Sequence, residues 1–227
     1  MPTTIGLLLF PRMTQLDLTG PFEVFTKLPD ARTLLLWKTL QPVEADSGLR
    51  LLPHATLNDH PPLDVICVPG GPGVNALMED ATVLDWLRAQ ADQARYVSSV
   101  CTGALVLGAA GLLRGKRATS HWASRDLLAQ FGAIPTQGRV VRDGNLFSGG
   151  GVTAGIDFAL TMAAELAGPA TAQAIQLQIE YAPAPPFDAG SPEDAPPDVL
   201  RSVRAAGATM RSAREAIAAR AAARLAR

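Results

Sequence analysis

The 227-residue sequence predicts an α/β domain built around a mostly parallel central sheet. Three observations support this fold class. The strand-like runs are short and continuously apolar, as parallel strands covered on both faces require. Helical patterns stand between these runs, so that strand and helix alternate along the chain. Finally, 48% of the residues are hydrophobic, which at this length supplies a full core without disulfide or metal support.

The alternation is clearest in the first half of the chain. Strands are predicted at residues 4–10, 32–38, 63–71 and 96–101. Helices are predicted at residues 21–28, 81–94, 102–113 and 123–132. Beyond Gly132 the pattern changes to a hairpin over 139–151, which we expect to turn at Asp143-Gly144, a pair that favours primed turns. Two further helices are predicted at 153–168 and 169–181, divided by Gly168-Pro169.

The composition divides the chain into a domain and a tail. We expect residues 1–181 to form the α/β domain and the proline-rich residues 182–198 to form an extended arm. Residues 199–227 predict a basic helix packed on or beside the domain, with arginines at 201, 204, 211, 214, 220, 224 and 227. A solvated helix face is the favoured interpretation of these arginines. A nucleic-acid-binding tail is the lesser one, because no aromatic residue is interleaved among the arginines and Gly207 is the single glycine there.

Charge and cysteine content exclude several classes of protein. The formal net charge of −1 gives no general reason to expect a nucleic acid or a membrane as partner. The apolar start, residues 5–10, is too short to span a membrane and follows no basic segment. Cys67 and Cys101 form no disulfide framework, and the three histidines have no metal-binding spacing. We therefore expect a soluble cytoplasmic protein without a metal site.

Cys101 is the leading candidate for chemistry, because it lies where a predicted strand passes into a helix. In a parallel sheet this carboxyl edge collects functional groups, and free N–H groups at a helix start lower the pKa of a thiol. The second segment at this edge is 68–73, where Gly70 and Gly71 could add an N–H to that of Thr102 in an oxyanion pocket. The alternative for Cys101 is a small packed apolar residue, which is also our interpretation of Cys67.

Three segments carry a resemblance to a known family. They are "QLDLTGPFEVF" (15–25), "VICVPGGPG" (65–73) and "SVCTGALVLGAAGLLRGKRATSHW" (99–122). Together they resemble the PfpI-type branch of the class I glutamine-amidotransferase-like superfamily, and the chain is similar to its isonitrile-hydrating subgroup over nearly its whole length. The resemblance implies a flavodoxin-like three-layer sandwich with a cysteine nucleophile elbow.

Three departures from the family pattern argue against a peptidase, a transcription regulator and a glutamine amidotransferase. The peptidase-like members carry a histidine directly after the nucleophile, where this chain has Thr102. The regulators that share this domain append a helix-turn-helix unit of about a hundred residues, too long for the tail that follows Tyr181. A glutamine amidotransferase needs a downstream His-x-Glu, whereas His121 is followed by Trp122 and Ala123. What is left is a stand-alone thiol enzyme.

The resemblance implies cofactor-free hydration of an isonitrile to an N-substituted formamide. Cys101 would attack the isonitrile carbon to form a thioimidate, with Thr102 assisting. Asp17, expected in a loop ahead of a helix that begins at Gly20-Pro21, would serve as acid and then as base. His121 is expected near the pocket, either in the chemistry or as a packed ring with a backbone contact. Gly150, in the glycine run 149–151, is expected either to let the backbone pass close to the site or flex, or only to provide a hairpin exit with positive φ.

The partners implied are the isonitrile and water, with a second copy of the chain in a homodimer. Two alternatives remain open at this stage. One is a glyoxalase-like hydration of 2-oxoaldehydes by the same thiol. The other is a non-catalytic redox sensor in which Cys101 oxidises reversibly.

Overall fold

The computed structural model describes residues 2–225 and confirms the predicted α/β class. Its strands are β1 (Thr3–Leu8), β2 (Ala31–Trp37), β3 (Val43–Glu44), β4 (Arg50–Leu51), β5 (Ala55–Thr56), β6 (Val65–Val68), β7 (Tyr96–Val100), β8 (Arg117–Ala118), β9 (Ile134–Pro135), β10 (Val140–Asp143) and β11 (Leu146–Gly149). Its α-helices are α1 (Gln15–Phe25), α2 (Val74–Leu77), α3 (Ala81–Ala91), α4 (Gly103–Ala109), α5 (Ala154–Ala167), α6 (Pro169–Gln178) and α7 (Pro197–Leu225), and a 3₁₀ helix covers Arg125–Phe131.

The central sheet has seven strands in the order β10-β11-β7-β6-β1-β2-β5. Every pairing in it is parallel except the β10–β11 hairpin. β6 lies between β1 and β7, so the segments that follow these three strands meet at one edge of the sheet. That edge is where an open parallel sheet builds its sites.

Helices cover both faces of the sheet and close the core. α1 packs on α5, and α5 packs on α6, while α4 packs against α2, α3, α7 and the 3₁₀ helix. In the middle of the sheet, β1 is buried at five of its six positions, and β6, β7 and β11 are buried at every position. This two-sided burial explains why the strand runs in the sequence are continuously apolar.

Helix α1 begins six residues before the predicted start. Asp17 therefore lies in the first turn of a helix rather than in a loop, and Pro21 lies inside that helix. A proline there removes one backbone hydrogen bond, which makes it a plausible helix start when the sequence is considered alone. The packing of α1 against the sheet and α5, with Leu18, Val24 and Phe25 buried, offsets that loss.

The hairpin also differs in detail from the prediction. Asp143 pairs with Leu146, so the two turn residues are Gly144 and Asn145 rather than Asp143 and Gly144. Gly144 has a φ of 62°, as the first central position of a type II′ turn requires. The turn is a primed one, but it is shifted by one residue because the register of β10 on β11 decides its position.

The tail leaves the domain surface and returns to it. Residues 182–196 form no helix or strand, and α7 starts at Pro197, two residues earlier than predicted, because proline suits the first position of a helix. Ala218 and Ala221 of α7 are buried. Arg227 lies outside the described residues. Within residues 2–225, no helix combines the length and apolar character needed to cross a membrane.

Candidate active site

Cys101 occupies a strained elbow between β7 and α4. Its φ is 56°, a left-handed conformation that non-glycine residues rarely adopt and that recurs at functional sites. The Cys101 N–H lies within hydrogen-bond distance of the carbonyls of Gly149, at 3.0 Å, and Gly150, at 2.8 Å. The Ser120 hydroxyl donates to the Cys101 carbonyl at 2.9 Å. These bonds fix the backbone on both sides of the thiol and hold the strained conformation.

Asp17 projects from the first turn of α1 beside the thiol and is fully buried. Its Oδ2 accepts the Gly70 N–H at 2.9 Å, while its buried Oδ1 has no hydrogen-bond partner among the residues described. Burial raises the pKa of Asp17 to about 7, although the Gly70 N–H and the Cys101 thiol act to lower it and Asp46 raises it slightly. A carboxyl in this state can either give or take a proton near neutral pH.

The Cys101 thiol is 5% exposed, and its pKa is raised well above the ordinary value. Burial is the largest cause and the charge of Asp17 the second, while the Thr102 N–H favours the thiolate. The prediction that the start of α4 gives Cys101 a lowered pKa is therefore wrong, because the pKa is raised overall. The local N–H acts as expected, but desolvation and a neighbouring carboxylate outweigh it. Cys101 and Asp17 consequently compete for protons as a pair.

The two glycines after β6 shape the site in another way than predicted. The Gly70 N–H is engaged by Asp17, and the Gly71 N–H donates to Thr102 Oγ1 at 3.0 Å, so neither is a free oxyanion donor. A Cβ on Gly70 would lie 2.6 Å from the Thr102 nitrogen and 2.7 Å from Asp17 Oδ2. Glycine is needed at position 70 because the Asp17 carboxyl and the Thr102 backbone both occupy the space that a Cβ would need.

A cavity of about 570 Å³ lies next to the elbow. Its inner wall includes Ser120, His121 and Gly150, two of which bond to the backbone of Cys101. Its outer wall comes from the arm, which contributes Phe187 and other residues between 185 and 194. Neither Cys101 nor Asp17 is among the residues that line this cavity.

His121 and Gly150 both lie where the cavity meets the elbow. The His121 Nδ1 accepts the Ala123 N–H at 3.3 Å, which leaves its Nε2 as the proton-bearing nitrogen of the neutral ring. Burial, followed by the charge of Arg214, lowers the His121 pKa. No hydrogen bond among the described residues joins this ring to Cys101 or Asp17.

Cys67 lies apart from this chemistry. It is buried in β6, and burial raises its pKa to about 12, as expected of a packed core thiol. Among residues 2–225, no group of three or more His, Cys, Asp or Glu side chains is placed to hold a metal ion.

Two residues near the elbow escaped the sequence analysis. Ser120 bonds to the Cys101 carbonyl, and Arg214 of α7 is 9% exposed rather than part of a solvated face. The spacing of Arg214, Ala218 and Ala221 marks the buried stripe of α7 and is the signal that would have indicated this arginine. Ser120 follows Thr119 in a short polar run, and no spacing in this run indicates that the Ser120 side chain is buried near the elbow.

Comparison with known proteins identifies the family that this chain resembles and several relatives. Residues 3–165 match the DJ-1/PfpI family. The chain is 62% identical over 225 residues to an isonitrile hydratase of Pseudomonas putida, covering 99% of both chains. It is 28% identical over 140 residues to a glutathione-independent glyoxalase of Caenorhabditis elegans, covering 61% of this chain and 75% of that one. A crystal structure of a ThiJ/PfpI family protein from Pseudomonas syringae superposes with a TM-score of 0.94 at 45% identity, covering 96% of this chain and 91% of the other.

Proposed function

The chain belongs to the DJ-1/PfpI family, and from that premise we propose that it hydrates isonitriles to N-substituted formamides. The similarity to the Pseudomonas putida isonitrile hydratase, which extends over 99% of both chains, supports this substrate. The observation that carries the proposal is the pairing of the elbow thiol of Cys101 with the buried carboxyl of Asp17. Such a pair supplies a soft nucleophile and a group that exchanges protons near neutral pH.

In the first proposed step, the Cys101 sulfur bonds to the terminal isonitrile carbon. A thiolate suits this carbon because both partners are soft and polarizable. The proton that the thiol and Asp17 share passes to the same carbon, so the N≡C bond loses one bond order and a thioimidate, R–N=CH–S–Cys101, results. The partner-free Oδ1 of Asp17 is the oxygen available for this transfer.

In the second step, water adds to the thioimidate carbon. Asp17, now a carboxylate, takes one proton from the water and passes it to the nitrogen, which gives the adduct R–NH–CH(OH)–S–Cys101. The C–S bond then breaks, the hydroxyl proton of the adduct returns to the pair of Asp17 and Cys101, and R–NH–CHO leaves. One carboxyl acts as acid and then as base, which requires a pKa near neutrality. The value of about 7 for Asp17 meets this requirement.

We place the substituent R in the cavity of about 570 Å³ beside the elbow. Trp122, Val152 and Phe187 give this cavity apolar surface, which suits a hydrocarbon R group. Because the thiol is not part of the cavity wall, the narrow linear –N≡C group is the part of the substrate that would have to reach it.

The experiment is an assay of purified protein with cyclohexyl isonitrile in water enriched in ¹⁸O. We expect N-cyclohexylformamide that carries one ¹⁸O atom, detected by mass spectrometry. Methylglyoxal is assayed in parallel. Turnover of methylglyoxal without formamide would favour the glyoxalase alternative, and loss of one thiol to dilute peroxide without either turnover would favour a redox sensor.

We further propose that the protein is a cytoplasmic homodimer. Two free cysteines suit a reducing compartment. Leu177 and Phe187 are 82% and 79% exposed, and an interface between copies would cover apolar surface of this kind. Light scattering at micromolar concentration should give twice the chain mass of 23.8 kDa, and a species of 23.8 kDa alone would refute the dimer.

A further inference from the structure

Arg214 is a buried cation without a carboxylate partner. It projects from the middle of α7 and is 9% exposed. Its hydrogen bonds go to neutral acceptors: Nε donates to Asn75 Oδ1 at 3.0 Å, Nη1 to Ser124 Oγ at 3.0 Å and Nη2 to the Gly71 carbonyl at 3.5 Å. Among the described residues no carboxylate lies within salt-bridge distance of it. Burying a charge in this way costs free energy unless another charge compensates it.

Other arginines of the same helix behave differently. Arg211 pairs with Asp126, and Arg220 and Arg224 both pair with Glu79 at the surface. The helix therefore does not need a buried guanidinium to attach it to the domain, since exposed ion pairs and the buried alanines 218 and 221 already do so. The position of Arg214 calls for another reason.

A short path of contacts joins Arg214 to the nucleophile. The guanidinium contacts the Gly71 carbonyl, and the Gly71 N–H bonds to the side chain of Thr102, the residue that follows Cys101. Burial lowers the pKa of Arg214, and the charge of Cys101 acts in the opposite direction, so a thiolate at Cys101 favours the protonated guanidinium. A favourable interaction of this kind is reciprocal, so the guanidinium also favours the thiolate.

We propose that Arg214 supplies the fixed positive charge that keeps the Cys101–Asp17 pair anionic near neutral pH, and that it is a positioning residue for the nucleophile. The inference rests on the proposed thiol chemistry and deepens it. A buried thiol and a buried carboxyl would together hold two protons in the absence of a counter-charge. With Arg214 nearby, the pair can lose one of them and share the other.

The other charged groups around the pair do not take over this role. Asp46 adds negative charge near Asp17, and Arg211 acts on Arg214 from the same helix. His121 has a lowered pKa and is neutral at pH 7, so it contributes no cation there. Arg214 also lies outside residues 3–165, the part of the chain that matches the family.

The test measures the alkylation rate of Cys101 by iodoacetamide against pH, with peptide mass mapping to separate Cys101 from Cys67. Arg214→Gln should move the midpoint up by about one pH unit or more and slow alkylation at pH 7 about ten-fold. Arg214→Lys, which keeps the charge and loses the planar fork, should leave the midpoint near that of the wild type. Arg220→Gln removes a surface ion pair of the same helix and serves as the control, with no shift expected.

A wild-type midpoint for Arg214→Gln would overturn the proposal, whatever the stability of the variant. If that variant does not fold, a midpoint for Arg214→Lys raised by a full unit overturns it equally, because the charge would still be present. Urea denaturation of each variant distinguishes the proposed electrostatic role of Arg214 from a purely structural one. If Arg214 only attaches α7 to the domain, its replacement should lower the free energy of unfolding and leave the pH midpoint of alkylation unchanged. Alkylation needs no isonitrile, so failure of the hydration assay in the wild type would refute the proposed function without touching this result.

Discussion

The N–H of Gly70 donates to Oδ2 of Asp17 at 2.9 Å and fixes the carboxyl beside Cys101. This bond joins the segment after β6 to the first turn of α1, so two elements far apart in sequence define one acid/base group. The other carboxyl oxygen keeps no partner among the described residues.

The first prediction concerns the two thiols. Cys101→Ala should abolish formamide production, since only the elbow thiol has an N–H group and a proton-exchanging carboxyl beside it. Cys101→Ser should fail as well, because an alkoxide is far costlier to form near neutral pH than a thiolate. Cys67→Ala is the matched control, and its turnover should stay close to that of the wild type. Sustained formamide production by Cys101→Ala would exclude covalent catalysis by this residue.

The second prediction concerns Asp17 as the acid and base. Asp17→Asn can still accept the Gly70 N–H but cannot transfer a proton, so turnover of an isonitrile should fall by about 10²-fold or more. The exposed Asp59→Asn is the control and should behave like the wild type. If Asp17→Asn keeps activity within a few-fold of the wild type, the proton-transfer role belongs elsewhere, and His121 is the next residue to test.

The fold was largely predictable because its signals are local. The apolar runs predict the parallel strands, and the strand-to-helix change at Cys101 predicts the elbow. The start of α1 was not predictable, since Thr14 makes no side-chain capping bond and Pro21 lies inside the helix. Tertiary packing of α1 decides its length, and no local pattern records that packing.

The sequence analysis named Cys101 and Asp17 as candidates, and the structure places them side by side, but the electrostatics of this pair was not predictable. The free N–H groups at the start of α4 argue for a lowered thiol pKa, which is a local argument. Burial and Asp17, both products of the tertiary structure, reverse the sign. Arg214 lies more than a hundred residues from Cys101 in sequence, and its approach depends on how α7 packs.

The third prediction concerns the close packing of Asp17 and Thr102 against Gly70. Gly70→Ala would place a methyl group 2.7 Å from Asp17 Oδ2 and 2.6 Å from the Thr102 nitrogen, so one of them must move. A displacement of this kind should lower turnover by at least about ten-fold, since misplacement of catalytic groups by about 1 Å costs on the order of 10²-fold. Gly207→Ala, with open space around its Cβ, is the control. Equal turnover in both variants would show that the geometry at Asp17 is not critical.

The last prediction concerns stability against pH. The pKa of Asp17 is about 7 in the folded protein and close to 3.9 in an unfolded chain. Between these values the folded state holds a proton that the unfolded state has released, so the free energy of unfolding should fall as pH rises from about 4 to 7. A shift of this size corresponds to a few kcal/mol.

Asp17→Asn carries no ionisable group at this position, so its free energy of unfolding should change less over the same pH range. Urea denaturation of both proteins at pH 4.5 and 7.5 measures this, with the exposed Asp59→Asn following the wild type. If Asp17→Asn gains no stability relative to the wild type between the two pH values, the carboxyl is already ionised at the lower one, and the near-neutral pKa that the acid and base roles of Asp17 require cannot hold.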